Sequence, residues 1–277
     1  MALYKKILIY LLLIILAFVF LTPIYGIFTL SLKSIKELIY NYWGIPKDLM
    51  WQNFSHVWSG AVVSLRPYFI NSFILTIPAV IFIIFFSLLA AYPLSKFKIK
   101  SENILLAIII FGITIPHQVL IIPVFKMLNV VHLYNNILGL ILVHIGYGIP
   151  FATFLLRNYM LQIPKELIDA AMVDGCSHYR IVFRIIFPLC KPAIAVLAIL
   201  YFTWIFNEFF YALVLTSTKA SMTASVAVGL MTADSSFSIY WNIQAAGALI
   251  LTIPTLIIFL SFQKYFIKGI MLGSVKG

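Results

Sequence analysis

The chain has 277 residues, of which 63% are hydrophobic and 10% are charged. Soluble proteins carry about 25% charged residues, and a soluble core could not bury this much apolar surface, so the composition excludes a soluble globular protein and predicts an integral membrane protein. The formal net charge is +11, which we attribute to basic residues retained on the cytoplasmic side of a membrane rather than to nucleic-acid binding.

Six apolar segments are long enough to cross a bilayer, which requires roughly 20 mainly apolar residues. They lie at about 7–32, 70–95, 104–125, 136–156, 193–215 and 244–267. The first segment follows Lys5 and Lys6 but is longer than the core of a signal peptide and precedes no small-residue cleavage site, so we expect a retained anchor. The sequence therefore predicts an all-α integral membrane protein with six transmembrane helices.

The basic residues predict the orientation of these helices. With both termini in the cytoplasm, 13 of the 19 lysines and arginines lie on the inner side. The first outer segment, about 33–69, is the exception, because it keeps four of the other six. The opposite orientation would place Lys96, Lys98 and Lys100 outside, and we reject it. We expect a multi-pass protein of the cytoplasmic (inner) membrane with both termini cytoplasmic.

Residues 163–192 form a polar segment between the fourth and fifth predicted spans, and we call it the elbow. Three of the eight acidic residues of the chain lie here. Pro164 suits the first turn of a helix, and Gly175 suits a left-handed helix end. Between them a helical stripe is apolar: Pro164, Leu167, Ile168, Ala171 and Met172. The first half of the elbow is therefore predicted to be a short amphipathic helix.

A second short helix is predicted after Ser177, which could cap it. One of its faces is apolar and carries Tyr179, Val182, Phe183, Ile186 and Phe187, while Arg180 and Arg184 lie on the other. We interpret the elbow as a cytoplasmic docking surface for a partner protein. The predicted docking residues are Glu166, Asp169, Ala170, Ala171, Asp174 and Gly175. The alternative is an amphipathic hairpin that rests on lipid headgroups.

Polar side chains inside the predicted spans are costly, so each is a functional candidate. We predict that a translocation path is lined by Gln118, Tyr147, Asn207, Glu208 and Tyr211. If these side chains face a common cavity, the polar groups could hydrogen-bond hydroxyl groups of a solute, and the aromatic ones would offer flat stacking faces. The alternatives are interhelical packing and, for Glu208, a proton relay.

The sequence contains no G-x-x-x-x-G-K-[ST] phosphate loop and no H-E-x-x-H metal motif. We therefore expect that the chain does not bind and hydrolyse ATP by that route, is not an enzyme, and has no metal or cofactor of its own. Any ATP-driven step would need a separate subunit.

Several motifs resemble one family of membrane proteins. The run Asp169-Ala-Ala-x-x-Asp174-Gly175, followed by Pro188 and Pro192, resembles the cytoplasmic EAA loop of type-1 ABC importer permeases. Further marks resemble the carbohydrate branch of that family and extend from about residue 68 to the last residue: Asn71-Ser72, Ala90-Ala91-Tyr92, Ile149-Pro150-Phe151, Asn207-Glu208-Phe209, Thr223 to Gly229, and Lys268-Gly269 to Val275-Lys276-Gly277.

The resemblance implies a six-helix protein with a type-1 ABC importer permease core, similar to the smaller permease of maltose or oligosaccharide transporters. It implies an anchor and first outer loop at 1–66, a core at 67–264 with the elbow as its coupling loop, and a cytoplasmic tail at 265–277. That tail, with Gly273, Lys276 and Gly277, would reach between two ATPase subunits; by composition it is a short basic tail.

The implied function is ATP-driven import of a sugar, expected to be an oligosaccharide. The implied partners are a second homologous permease, two ATPase subunits that bind ATP and Mg, and an extracytoplasmic solute-binding protein. The chain departs from the family pattern at Asp169, where glutamate is usual, at Cys176, where alanine is frequent, and at Phe206, where tryptophan is usual. The alternatives are a proton-coupled secondary transporter, a permease for a non-sugar solute, and a membrane scaffold that recruits a cytoplasmic protein without transport.

Overall fold

The computed structural model describes residues 3–60, 64–231 and 241–274, with side chains described as far as residue 263. Within these ranges the regular elements are helical and there is no β-strand, as the composition and the apolar runs predict. The helices are α1 Leu3–Ser31, α2 Ile35–Tyr40, α3 Gln52–Ser59, α4 Leu65–Lys96, α5 Glu102–Thr114, α6 Ile121–Val130, α7 Ile137–Met160, α8 Glu166–Val173, α9 His178–Ile181, α10 Phe187–Leu189, α11 Lys191–Phe206, α12 Phe210–Leu215, α13 Ala224–Leu230 and α14 Trp241–Ser274.

Four of the described helices are long and apolar enough to cross a membrane unaided: α1, α4, α7 and α14. Two pairs of shorter helices also qualify when each bent pair is taken as one span, which brings the described spans to six. The predicted spans at 7–32, 70–95, 136–156 and 244–267 correspond to these four helices. The predicted span at 104–125 lies within the first bent pair, whereas the one at 193–215 overlaps only the α11 half of the second.

The third predicted span, 104–125, is interrupted by a bend of 89° between α5 and the helical segment His117–Val130. The two residues at the bend, Ile115 and Pro116, have extended backbones. Proline sterically disfavours helical backbone angles in the preceding residue, so the helix ends before Pro116. A continuous helix over 104–125 is therefore wrong, and the chain turns sharply at that point.

The fifth predicted span, 193–215, is also not continuous. Helix α11 ends at Phe206, and α12 begins at Phe210 after a short break. At its other end, α11 meets the helical segment His178–Leu189 at 77°. The break after Phe206 contains Asn207 and Glu208, both of which the sequence analysis singles out.

One compact unit comprises residues 1–69 and 224–253. A buried polar cluster lies inside it. Lys33 Nζ donates to the carbonyl oxygens of Asn41 and Tyr42 at 2.5 and 2.9 Å. Asn53 Nδ2 donates to the carbonyl oxygen of Lys33 at 3.0 Å, and so does Asn242 Nδ2. These bonds fasten the segment after α1 to α3 and to the start of α14.

Lys33 is fully buried in this cluster. Burial lowers its pKa, while the nearby Glu37 carboxylate opposes that shift. Lys33 is thus a structural group of its loop rather than a surface charge. Lys33 is one of the four basic residues of the first predicted outer segment, which is the exception to the predicted orientation. Its structural role makes that exception smaller.

The second compact unit comprises residues 70–223 and 254–277. Three spanning helices pack closely in it. A Cβ atom on Gly148 of α7 would lie 2.5 Å from Ile83 Cδ1 of α4, so only glycine permits this approach. On α11, Tyr201 Oη donates to the carbonyl oxygen of Gly148 at 2.6 Å. The close contact of α4, α7 and α11 forms the frame for both candidate sites.

The predicted cytoplasmic tail, residues 265–277, continues the last helix through most of its length. Helix α14 extends to Ser274 and therefore includes Gly273. Lys276 and Gly277 lie outside the described residues.

Candidate functional site

The first half of the elbow folds as the helix α8, and its end has a defined hydrogen-bond pattern. Gly175 has a φ of +77°, the left-handed conformation that the sequence predicts for it. The amide of Gly175 donates to the carbonyl oxygen of Met172 at 3.0 Å, and the amide of Cys176 donates to that of Ala171 at 2.9 Å. This pair of bonds is a Schellman motif, which reverses the chain immediately after the helix. Pro164 lies two residues before the first helical residue, Glu166, rather than inside the first turn.

Five of the six predicted docking residues are exposed: Glu166, Asp169, Ala170, Asp174 and Gly175. The sixth, Ala171, is only 8% exposed and packs inward together with Ile168, so its predicted place on the docking surface is wrong. The reason is helical spacing, since positions 168 and 171 share the inner face. Val173 takes its place on the outside as an apolar side chain that is 88% exposed.

The second half of the elbow differs from the predicted amphipathic helix. Residues Val182–Ile186 form a π-helical turn between α9 and α10. Such a turn inserts an extra residue and rotates the following side chains relative to an α-helix. The buried positions are Ile181, Val182, Ile186 and Cys190, while Tyr179 is 73% exposed. Ser177 stands at the N-cap position of α9, but its side chain makes no capping hydrogen bond.

The elbow rests on the last turns of α4. Lys96 Nζ donates to the carbonyl oxygens of Met160 and Ile163, at 2.5 and 2.6 Å, where α7 leads into the elbow. Farther along, the hydroxyl of Tyr92 is hydrogen-bonded to His178 Nδ1 at 3.2 Å. A displacement of the elbow must therefore either move α4 or break these bonds.

An ion pair reinforces the same junction. Arg157, near the end of α7, pairs with Glu102 at the start of α5. Its Nε also donates to the carbonyl oxygen of Leu94 on α4 at 3.1 Å. Three helix ends are thus joined through one guanidinium group beside the elbow.

The second candidate site is a cavity of about 390 Å³ in the second compact unit, which we call the cavity. Its walls include six aromatic rings: Tyr147, Phe151, Tyr201, Trp204, Phe210 and Tyr211. Polar groups also line it, namely His117, Gln118, His144 and Glu208, and the apolar residues are Ile113, Gly148 and Ile205. The volume lies in the range of about 300–1,000 Å³ that is usual for small-molecule sites.

The hydroxyl of Tyr211 connects the polar wall of the cavity. It donates to the carbonyl oxygen of His117, at the bend of the third span. Its oxygen also lies 2.6 Å from the hydroxyl of Tyr147 on α7, and Tyr147 is the donor in this second hydrogen bond, because Tyr211 has a single proton and gives it to His117. The rings of His117 and Tyr147 stack with their centroids 4.4 Å apart. This network joins α12, α7 and the broken third span around the cavity.

Glu208 has a structural role as well as a place in the wall. Its carboxylate oxygens accept hydrogen bonds from the amides of Tyr211 and Ala212, at 2.6 and 3.0 Å. Glu208 therefore caps the N-terminus of α12, where unpaired amides and the helix dipole favour a negative charge. A capping carboxylate of this kind explains an intramembrane acid without a proton relay.

Four of the five predicted path residues meet at the cavity: Gln118, Tyr147, Glu208 and Tyr211. The fifth, Asn207, does not line it. Its amide donates to the carbonyl oxygen of Thr203 at 2.8 Å and to Thr255 Oγ1 on α14 at 3.2 Å. Asn207 is exposed and lies outside the cavity, so its bond to α14 favours the packing alternative, and its place on the translocation path stays a prediction.

The sequence analysis does not select Phe151, Tyr201 and Trp204 as path residues. It also does not identify Lys96 as the residue that joins α4 to the elbow, a contact that we call the Lys96 joint. Aromatic residues are abundant in the chain, at 16%, and nothing in their spacing marks those that meet across helices. Lys96 is one of three neighbouring lysines, of which Lys98 and Lys100 are exposed. A run of basic residues does not indicate which one turns inward.

The described residues contain no group of three or more His, Cys, Asp or Glu side chains that could hold a metal ion. The described residues thus form an exposed helical surface on α8 and a cavity lined by aromatic rings, neutral polar groups and the carboxylate of Glu208.

Spans, an exposed elbow and a solute-sized cavity together define a membrane-embedded transport subunit. Comparison with known proteins makes this class specific. Residues 83–271 match the family described as binding-protein-dependent transport system inner membrane component. The chain belongs to this family and is the membrane-spanning permease component of such a transport system.

Two curated relatives and one solved structure illustrate the match. The probable ABC transporter permease protein YurM of Bacillus subtilis is 35% identical over 89% of this chain and 81% of its own length. The arabinooligosaccharides transport system permease protein AraQ of Bacillus subtilis is 32% identical over 95% and 92%. A chain in the crystal structure of a bacterial ABC transporter that imports the acidic polysaccharide alginate has a TM-score of 0.82, 24% identity and coverage of 95% and 96%, which shows the fold.

Proposed function

We propose that this chain is a permease subunit of an ATP-driven importer that carries an oligosaccharide across the cytoplasmic membrane. The observation that carries the proposal is the exposed elbow with its Schellman turn at Gly175, in a chain of the permease family. The oligosaccharide substrate is supported by the aromatic and hydroxyl-rich cavity and by the likeness to AraQ.

The transporter would be completed by a second homologous permease, two ATPase subunits and an extracytoplasmic solute-binding protein. ATP and Mg would be bound by the ATPase subunits. Both termini and the elbow would lie in the cytoplasm, as the distribution of basic residues favours. The first outer loop and the end of α12 would then face the binding protein's side of the membrane.

The elbow would dock into the ATPase through the outer face of α8. Asp169 and Asp174 offer carboxylates that would fix the register through charge complementarity, and Ala170 between them allows close approach. The 88% exposed side chain of Val173 adds an apolar contact. Such an apolar contact is needed for affinity, because exposed ion pairs alone contribute little to it.

Movement of the docked elbow would reach the spans through the Lys96 joint. ATP binding closes the ATPase pair, and the elbow would be displaced with it. Since Lys96 bonds both the end of α7 and the start of the elbow, the displacement is delivered to α4 and α7 together. The two nucleotide states must bind the elbow differently, because only differential affinity shifts a conformational equilibrium.

Reconstitution of the four-component transporter in proteoliposomes tests the function. We expect the sugar-loaded binding protein to stimulate ATP hydrolysis and sugar uptake to require ATP. Uptake driven by a pH gradient without the ATPase would instead support proton coupling, and binding of the ATPase without any stimulated hydrolysis would indicate a scaffold.

A further inference from the structure

The cavity is lined by two chemically different sets of side chains. In the first set, the rings of Phe151, Tyr201 and Trp204 form a mutual cluster, with the Trp204 centroid 5.9 Å from that of Phe151 and 5.6 Å from that of Tyr201. Trp204 is nevertheless 53% exposed, so part of its ring is not covered by the cluster. A large, rigid aromatic surface that borders a cavity is suited to the apolar C–H face of a sugar ring.

The second set offers a hydrogen-bonding group that is not consumed by the fold. The side-chain amide of Gln118 is exposed and makes no hydrogen bond within the described part of the chain. His144 is 8% exposed, and its Nε2 atom is buried without a hydrogen-bond partner among the described residues. That atom is inaccessible from the cavity, so Gln118 rather than His144 is the group that a solute hydroxyl can reach.

The charges in the cavity lining bear on whether a charged or an uncharged saccharide would fit. Among the described residues that line it there is no lysine or arginine, and the one acid is Glu208. The carboxylate of Glu208 is held in place by two amides of α12. A uronate brought into this apolar surrounding would lose its hydration, find no cation and meet a carboxylate, whereas an uncharged sugar meets none of these penalties.

We propose, resting on the function proposed above, that the cavity is a subsite for an uncharged segment of the saccharide and that it disfavours uronic acid residues. Trp204 supplies the stacking face, and Gln118 and Tyr147 supply partners for hydroxyl groups. The permease would thereby contribute to substrate choice in addition to the solute-binding protein.

The test uses the complete transporter in nanodiscs, without the solute-binding protein, so that only selectivity of the membrane subunits is measured. Calorimetry compares a panel of neutral saccharides (arabinotriose, maltotriose and raffinose) with trigalacturonate. We expect at least one neutral saccharide to bind about tenfold or more tightly than trigalacturonate. Trp204→Ala should weaken that binding about tenfold, whereas Trp51→Ala, a similarly exposed tryptophan that does not line the cavity, should leave it unchanged.

A charge substitution provides a second and more specific test. Gln118→Arg adds a cation to the wall and should allow trigalacturonate to bind, while Gln52→Arg, at an exposed glutamine of the other compact unit, should not. Equal affinity for neutral and acidic saccharides, no binding by the neutral panel, or indifference to both Trp204→Ala and Gln118→Arg would overturn the subsite. Those results would leave the importer itself intact if the sugar-loaded binding protein still stimulates ATP hydrolysis; loss of that stimulation in the unmodified transporter would instead overturn the proposed function.

Discussion

The elbow and the cavity are built in opposite ways. The elbow is a continuous stretch of chain whose helix, turn and exposed acids follow one another within a few residues. The cavity collects side chains from α5, the segment after it, α7, α11 and α12, up to almost 100 positions apart, as from Ile113 to Tyr211. A surface that must present one face to a partner can be encoded locally, whereas a site that encloses a solute requires distant helices to be in register.

The largest effect should come from breaking the turn of the elbow. Gly175→Pro forces φ to about −65°, which is incompatible with the observed +77°. We expect ATP-coupled uptake to be lost, with membrane insertion intact, because the chain would no longer reverse after α8. Gly175→Asn is the matched control, since asparagine tolerates the left-handed region, and it should retain most of the uptake. Normal coupled uptake by the proline variant would remove the elbow from the mechanism.

Charge reversal on the elbow should have the next largest effect. Asp169→Lys replaces an exposed carboxylate by an ammonium group, and we expect copurification of the ATPase to fall about tenfold at low salt. The control is Asp48→Lys, an equally exposed acid in the other compact unit. If both variants retain the ATPase equally well, charge at Asp169 does not contribute to docking.

Removal of the Lys96 hydrogen bonds between α4 and the elbow should have an effect of intermediate size. Lys96→Met leaves the carbonyl oxygens of Met160 and Ile163 without their donor, at a cost of about 1–3 kcal/mol. We expect faster hydrogen exchange at residues 161–165 and weaker coupling of ATP hydrolysis to uptake, with docking retained. Lys98→Met, an exposed neighbour, is the control; identical exchange in the two variants would argue against the joint.

The smallest effect is expected at Asn207. Its bond to Thr255 is an interhelical contact outside the cavity, and such bonds in membranes average about 0.6 kcal/mol. Asn207→Ala should lower thermal stability slightly and leave the KM for the transported sugar unchanged, whereas Tyr147→Phe should raise that KM. A large rise in KM for Asn207→Ala would return this residue to the translocation path.

The sequence predicts the local features well and the assembled ones poorly. Six spans, the left-handed Gly175 and the exposed acids of the elbow all follow from residue type and short-range spacing. The bend at Pro116 is marked in the sequence only by a proline. The π-helical turn at Val182–Ile186 has no sequence marker, and of the predicted apolar face Val182 and Ile186 are buried, whereas Tyr179 is exposed. Ala171 was placed outside because its small size suits docking, although its helical position turns it inward.

The cavity illustrates the limit in another way. Gln118, Tyr147, Glu208 and Tyr211 were selected because polar groups are costly in a bilayer, and that argument holds for each of them. The same argument selected Asn207, which satisfies its amide by packing instead. Cost identifies residues that need a partner, but only the packing of the helices decides whether that partner is a neighbouring helix or a solute.

Cysteine crosslinking of the elbow tests docking most directly. In a Cys176→Ser background, cysteines introduced as Ala170→Cys and Ala171→Cys differ by one position, but position 170 is exposed on α8 whereas position 171 is buried. We predict that Ala170→Cys crosslinks to an ATPase subunit in native membranes, whereas Ala171→Cys does not. Adducts from neither position, or from both equally, would contradict the assignment of the outer face of α8 as the surface that binds the ATPase.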